Sequence, residues 1–310
     1  YLLHFLFYFN LACRCKRTTI PHLYLWGMLF ALYEAPITKI LWRHYKTDIV
    51  FAGINVIEFA ILVLVWHPLF SFITPVLMIQ LFSDLEETPN GLKSHRKLLS
   101  SNYAQPFRFS VFLGITGFLF MIITTSKFYI NAILTFMGTI MIVLILYYLK
   151  TYLERKNGLN PLSIKNLVLK PRGFKIITGS LIVLYIVDFF LYDPSKIPNS
   201  YLPYQSTGLI YIVILLMIYL SPPNEDMFVK IQNPVKLQEI YLLWGLLSLG
   251  LIVAIFFLPP IVLIGQIYYL LLVILAPLIF LRMVWLVFTQ NPKQTALNEK
   301  DDKDARRPLS

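Results

Sequence analysis

The stretch Ile261–Phe288 reads IVLIGQIYYLLLVILAPLIFLRMVWLVF and contains one charged residue, Arg282. A hydrocarbon core about 30 Å thick is crossed by a helix of roughly 20 apolar residues. Because backbone groups inside lipid must be hydrogen-bonded within their own segment, a run of this length is predicted to be a transmembrane helix. The run is longer than the core is thick, so we expect it to tilt or to bend at Pro277.

The composition of the whole chain agrees with this first segment. The 310 residues are 57% hydrophobic and 14% charged, and the mean hydropathy is +0.67. Soluble domains are about 45–50% apolar and about 25% charged. The sequence therefore predicts an all-α fold, a polytopic transmembrane helical bundle whose partner is the lipid bilayer.

Further apolar runs set the expected number of spans. They are Ile49–Trp66, Pro68–Phe82, Phe107–Thr125, Phe128–Tyr148, Phe174–Leu191, Thr207–Leu220 and Ile240–Leu258. The chain starts at Tyr1 inside one more apolar segment, which ends near Ala12 and is followed by basic residues. We therefore expect upstream residues, and about eight full spans plus a partial N-terminal one.

The run Ile49–Phe82 needs to be divided into two spans. At about 1.5 Å per residue it would form a helix roughly 50 Å long, against a core of about 30 Å. Since proline disfavours helix in the residue before it, Trp66-His67-Pro68 is the predicted turn of a hairpin.

The segment Ile20–Lys46 is predicted to be an interfacial or re-entrant amphipathic helix. Its apolar stretch before Glu34 is short for a span, and Lys39, Arg43 and Lys46 share a face opposite the apolar one. The alternative is that it crosses the membrane and that Ile49–Phe82 is a single span. Positive residues concentrate in cytoplasmic loops, which favours the hairpin. In that arrangement Lys39, Arg43 and Lys46 lie inside, and only Lys127 and Lys196 of the 27 Lys and Arg residues lie outside, with Arg282 near the inner helix end.

These segments predict six regions. They are a partial span (1–19), the amphipathic helix (20–46), a four-span half (47–149), a basic cytoplasmic linker (150–173), a second four-span half (174–289) and a disordered cytoplasmic tail (290–310). Equal numbers of spans in the halves suggest an internal repeat. No residues align between the halves by eye, so the repeat stays open.

Charge and cysteines exclude several kinds of partner. The net charge of +11 is spread over loops predicted to be cytoplasmic, where anionic lipid accounts for it without nucleic acid. Cys13 and Cys15 have no second pair with which to bind zinc. The sequence points to no metal and no cofactor, whereas partner subunits or a homo-oligomer are compatible with it.

Ionisable residues within predicted spans are candidate functional residues, because a charge in lipid costs about 2.5 kcal/mol or more. Glu58 lies about halfway along Ile49–Trp66, with Asn55 one turn earlier, and a desolvated carboxyl suits proton exchange. Glu34 lies on the apolar face of its helix and needs a partner from elsewhere in the fold. Each also fits a structural hydrogen bond.

Two further candidates lie near predicted membrane surfaces. His67 is at the proposed hairpin turn, where an interfacial anchor is the alternative to a functional role. Asp188 is near the outer end of Phe174–Leu191. A shared site of Glu58, His67 and Asp188 is a hypothesis that no spacing rule supports.

Three functions are compatible with these features. Many spans with short loops favour a secondary transporter or permease for a small solute, with Glu58 as the coupling residue. The first alternative is a membrane-embedded enzyme acting on a lipid-like substrate, with Glu34 and Glu58 as acid–base groups. The second is a non-catalytic subunit of a membrane complex. No catalytic motif in the sequence decides whether the protein is an enzyme.

Overall fold

The computed structural model describes residues 2–42, 49–76, 87–89, 164–224, 228–230 and 258–289, and single helical positions between 133 and 155 and between 245 and 252. Six longer helices lie in these ranges: α1 (Leu2–Arg14), α2 (Ile20–Thr38), α3 (Val56–Val76), α4 (Pro171–Leu191), α5 (Leu202–Leu220) and α6 (Leu258–Thr289).

Short elements connect the helices. They are 3₁₀ turns at Ile40–Trp42, Ile164–Leu167 and Pro194–Lys196, and the strands β1 (Val50–Phe51), β2 (Ile54–Asn55), β3 (Glu87–Pro89) and β4 (Phe228–Lys230). Strand β1 pairs with β2, and β3 pairs with β4, both antiparallel.

The membrane prediction agrees with the helices that the structure describes. Four of them are long and apolar enough to cross a bilayer, namely Val56–Val76, Pro171–Leu191, Leu202–Leu220 and Gln266–Thr289. The last three match predicted runs. The run Phe107–Thr125 lies outside the described residues, and Phe128–Tyr148 and Ile240–Leu258 are described only at scattered helical positions. The count of about eight spans is therefore not confirmed.

Helix α2 is at the centre of the described bundle. All its residues except Tyr33, Glu34 and Thr38 are buried, and it packs against α1, α3, α4, α5 and α6. This packing differs from the amphipathic helix that we expected, because the buried positions surround the helix instead of forming one stripe. The location of residues 20–46 relative to the bilayer stays a prediction.

Helix α3 continues through the predicted hairpin turn. It starts as an α-helix at Val56–Glu58 and continues as a wider π-helix over Phe59–Ile73, with Pro68 inside it. The prediction of a turn at residues 66–68 is therefore wrong. Membrane helices tolerate proline where local π-helical geometry and neighbouring helices compensate for the lost donor, and α2 packs here, with the Tyr24 hydroxyl donating to the Leu64 carbonyl at 2.6 Å.

One end of the bundle is basic. The Arg17 guanidinium donates to the carbonyls of Tyr219 and Ser221 at the end of α5, both at 2.8 Å. The buried Asn10 side chain donates to the Leu167 carbonyl at 2.9 Å and accepts from the Leu169 N–H at 2.6 Å. These contacts place the end of α1, the start of α4 and the end of α5 together. The positive-inside rule predicts that this end is cytoplasmic.

Lys39 lies at the opposite end. Its ammonium donates to the carbonyl of Phe189, at 2.6 Å, and to that of Tyr192. The last carbonyls of a helix have no intrahelical donor and therefore attract a cation. The prediction that Lys39 is on the same side as Arg17 is thus wrong, since it contacts the far end of α4. Arg43 and Lys46, grouped with it, lie outside the described residues.

Candidate functional site

Glu34 and His67 meet inside the bundle. The Glu34 carboxylate of α2 is hydrogen-bonded through Oε2 to Nε2 of the His67 imidazole on α3, and the two form an ion pair when the imidazole is protonated. The His67 side chain is 5% exposed and that of Glu34 is 19% exposed. Of the five candidates from the sequence, these two are brought into direct contact.

The crossing of α2 and α3 allows this contact. A Cβ atom added to Gly27 would lie 2.5 Å from the Cα atom of Pro68 and 3.1 Å from the Cβ atom of Phe72. Only a residue without a side chain therefore permits this approach of the two helices, as is common between membrane helices. The ring of Phe30, one turn before Glu34, lies 5.3 Å from that of His67 and covers the pair.

A second histidine, which sequence reasoning missed, lies beside the pair. His4 of α1 is 7% exposed, and neither of its ring nitrogens has a hydrogen-bond partner in the described part of the chain. Its ring lies edge-on to that of Tyr33 at 4.6 Å. Its ring also lies 5.5 Å from that of Phe30, which contacts His67. Among the described residues, no three His, Cys, Asp or Glu side chains are placed to hold a metal ion.

The remaining sequence candidates have different surroundings. The Asn55 side chain accepts from the backbone N–H groups of Ile57 and Glu58, at 3.1 and 3.2 Å, and so caps the N-terminus of α3. Glu58 is half-buried in the first turn of α3, where the helix dipole favours a carboxylate. The expectation that Glu58 lies halfway along a span is therefore wrong.

Asp188 is half-buried on α4, near the end that Lys39 caps. Burial lowers the pKa of the Lys39 ammonium, and the carboxylates of Asp193 and Asp188 oppose that change. The Lys39 ammonium also lies over the ring of Phe189, 5.2 Å from its centroid. A cluster with charges of both signs therefore marks this end of the bundle.

An open groove of about 540 Å³ lies between α2, α4 and α5, and no lining residue among those described is charged. It is lined by Leu32, Tyr33, Pro36, Trp42, Ile182, Tyr185, Ile186, Phe189, Tyr204, Thr207, Gly208 and Tyr211. Because Tyr33 directly precedes Glu34, one turn of α2 contacts both the groove and the ion pair. The volume is within the range of ligand pockets, about 300–1,000 Å³.

Sequence reasoning missed the groove, although a signal was present. Its residues on α4 are Ile182, Tyr185, Ile186 and Phe189, and those on α5 are Tyr204, Thr207, Gly208 and Tyr211. Both sets recur at i, i+3, i+4 and i+7, which is one face of a helix. The same spacing is expected for any packed helix face, so it could not show which faces leave a space between them.

Comparisons with known proteins add the family. A model described as "Uncharacterized membrane protein family" matches residues 1–293. A protein of Archaeoglobus fulgidus, described as an uncharacterized protein, is 29% identical over 202 residues, which are 64% of this chain and 58% of that relative. The match thus spans less than two thirds of the relative's length. No solved structure matches. The chain belongs to this uncharacterized membrane protein family.

Proposed function

We propose that this protein is a secondary transporter or permease for a small solute, and that the Glu34–His67 pair couples solute movement to a proton. The observation that carries the proposal is the contact of two titratable side chains from different helices inside the bundle. Ionisable groups in this environment are costly to bury and therefore mark pathways for substrates, ions or protons.

The pair offers two charge states at one position. With the carboxylate ionised and the imidazole protonated, the two groups form an ion pair. Loss of one proton leaves a single negative charge, shared through the hydrogen bond. Removing one partner of a buried ion pair costs about 3–5 kcal/mol, because the other charge is left buried without a counter-charge. Proton occupancy would therefore bias how tightly α2 is held against α3, while the groove on the same turn of α2 receives the solute.

A purely structural pair is the main alternative, and it favours the non-catalytic subunit. In that case Glu34 only joins α2 to α3, and a glutamine at this position, which keeps the hydrogen bond, would support full function. The substitution Glu34→Gln separates the two functions, because Gln retains the shape and the hydrogen bond but loses the charge and the titration.

The test uses the purified protein in liposomes that contain a trapped pH-sensitive dye. Candidate solutes are added outside, and proton entry is followed for the wild type, Glu34→Gln and Glu58→Gln. We expect a solute that causes proton entry in the wild type, no entry above empty liposomes in Glu34→Gln, and retained entry in Glu58→Gln. The cap bond from the Glu58 backbone N–H to the Asn55 side chain is unaffected by that substitution.

Two outcomes contradict the proposal. Full proton coupling in Glu34→Gln would show that the pair is structural. Loss of coupling in Glu58→Gln together with full activity in Glu34→Gln would return the coupling role to Glu58, as the sequence alone predicts. Thermal unfolding of each variant in detergent checks that the amides leave the fold intact.

A further inference from the structure

We propose that the groove between α4 and α5 binds the hydrocarbon chain of a lipid from the surrounding bilayer, which enters sideways between these helices. This inference rests on the proposed function in one respect: it makes the transported solute an amphiphile with such a chain. Three features of the groove carry it, namely its lining, its opening and its charged end.

The lining consists mostly of rings and aliphatic groups, and most of its hydroxyls are bonded within the protein. The Tyr33 hydroxyl donates to the Leu181 carbonyl at 2.5 Å, and the Tyr204 hydroxyl donates to the Pro198 carbonyl at 3.1 Å. The Tyr211 hydroxyl is hydrogen-bonded to that of Tyr8, and the Thr207 hydroxyl donates to the Pro203 carbonyl at 2.7 Å. These four hydroxyls are therefore already engaged within the protein, and Tyr185 carries the remaining hydroxyl of the lining.

Because most hydroxyls of the lining are already hydrogen-bonded within the protein, the groove favours one chemical class of ligand. A sugar, an amino acid or an inorganic ion would lose its hydration in this groove and find few groups to replace it, which costs several kcal/mol for each unpaired polar group. A hydrocarbon chain has no such loss, and it gains from contact with the ring faces. The lining therefore selects against polar solutes and favours an apolar chain.

The opening lies on the outer surface of two predicted spans. Ile182 and Ile186 line the groove and are 56% and 53% exposed, and both belong to α4. Gly208 lines it from α5, and a Cβ atom added there would meet nothing within 4 Å. Exposed apolar residues on a membrane span contact lipid, so the mouth of the groove opens toward acyl chains.

Charged groups lie at one end of the groove, as the two parts of an amphiphile require. Trp42, which lines the groove, follows Lys39 by one turn, and the Phe189 carbonyl accepts from the Lys39 ammonium. The carboxylates of Asp188 and Asp193 are near enough to raise the pKa of that ammonium against the effect of burial. A lipid whose chain occupies the groove would hold its polar headgroup at this end, near charges of both signs.

The experiment uses the full chain in nanodiscs that contain a phospholipid with a photoactivatable diazirine in its acyl chain. After irradiation, labelled peptides are mapped by mass spectrometry. The test variant is Gly208→Phe, whose ring fills the groove mouth from open space. The matched control is Val187→Phe on α4, an exposed position on the face of the helix away from the groove.

We expect labelling concentrated on the groove residues of α4 and α5, a severalfold loss in Gly208→Phe and no change in Val187→Phe. Labelling spread evenly over the exposed faces of both helices, or equally affected by both variants, would overturn the proposal. If Gly208→Phe does not fold, Ile186→Trp blocks the same mouth from α4, and its labelling decides in the same way.

Failure of the proposed function gives a different pattern. In Glu34→Gln the groove is intact, so lipid labelling should remain at the wild-type level whether or not the pair couples transport. Retained labelling without proton coupling in the wild type refutes the transporter and leaves the lipid site. Proton coupling to a water-soluble solute without groove labelling refutes the lipid site alone.

Discussion

Gly27 holds α2 and α3 at the distance that lets Glu34 reach His67, and the substitution Gly27→Ala tests this arrangement. The added Cβ atom would lie 2.5 Å from the Pro68 Cα atom, whereas ordinary contacts begin at 3.4 Å. The two helices would therefore have to separate by about 0.9 Å, the difference of these distances. The Pro68 Cα atom is backbone, so no side-chain rotation relieves the clash.

Two opposing effects determine how much Gly27→Ala changes the free energy of unfolding. Alanine is favoured over glycine in a helix by about 1 kcal/mol. Overpacking of an interior costs about 1–3 kcal/mol, and a clash with backbone belongs at the upper end of that range. We therefore expect Gly27→Ala to lower the free energy of unfolding by about 2 kcal/mol.

The assay is reversible unfolding in mixed micelles, with Gly179→Ala as the matched control. An added Cβ atom at Gly179 meets nothing within 4 Å, so alanine there should be neutral or stabilise by up to about 1 kcal/mol. Equal stability of the two variants would refute the close approach of α2 to α3, and with it the packing that places the ion pair.

Three further predictions follow from the two ends of the bundle. In right-side-out vesicles an impermeant maleimide should label Lys196→Cys directly, but the exposed native Cys15 only after permeabilisation; external labelling of both would contradict the arrangement of the ends. Asn10→Leu leaves buried backbone groups without their partners and should cost about 1–3 kcal/mol in the same unfolding assay, whereas an unchanged stability would remove the tie between α1 and the start of α4. Lys39→Met should cost nearer to about 1 kcal/mol, because the lost bonds to helix carbonyls are partly offset by not burying a charge; a loss as large as that of Gly27→Ala would show that the cap is stronger than proposed.

The helices were predictable because hydropathy and length are local properties of the chain. The runs ending at Leu191, Leu220 and Phe288 match helices in the structure, since an apolar segment in lipid has no alternative to internal hydrogen bonding. The error at Trp66-His67-Pro68 has an equally physical origin. A proline is a local signal for a turn, but a local change to π-helical geometry and packing against neighbouring helices let a membrane helix continue through it.

The candidate site was predictable only in part. Glu34 and His67 stood out because ionisable groups in apolar surroundings are rare, but their pairing joins residues 33 positions apart. Asn55 and Glu58 were mistaken for mid-span residues because the start of α3 was placed too early, at Ile49 instead of Val56. His4 was not selected, since an aromatic-flanked histidine near the start of the chain has no distinguishing pattern.

The sequence by itself determined that this is a helical membrane protein, where three of its spans lie, and which few residues are costly to bury. These properties depend on the transfer of each segment from water to lipid, which is a sum over neighbouring residues. The tertiary structure alone decided that α2 is the buried centre, that Glu34 contacts His67, and that α2, α4 and α5 line an open aromatic groove. Those properties depend on the angles and distances at which helices cross, which are set by contacts such as that of Gly27 with Pro68 between residues far apart in the chain.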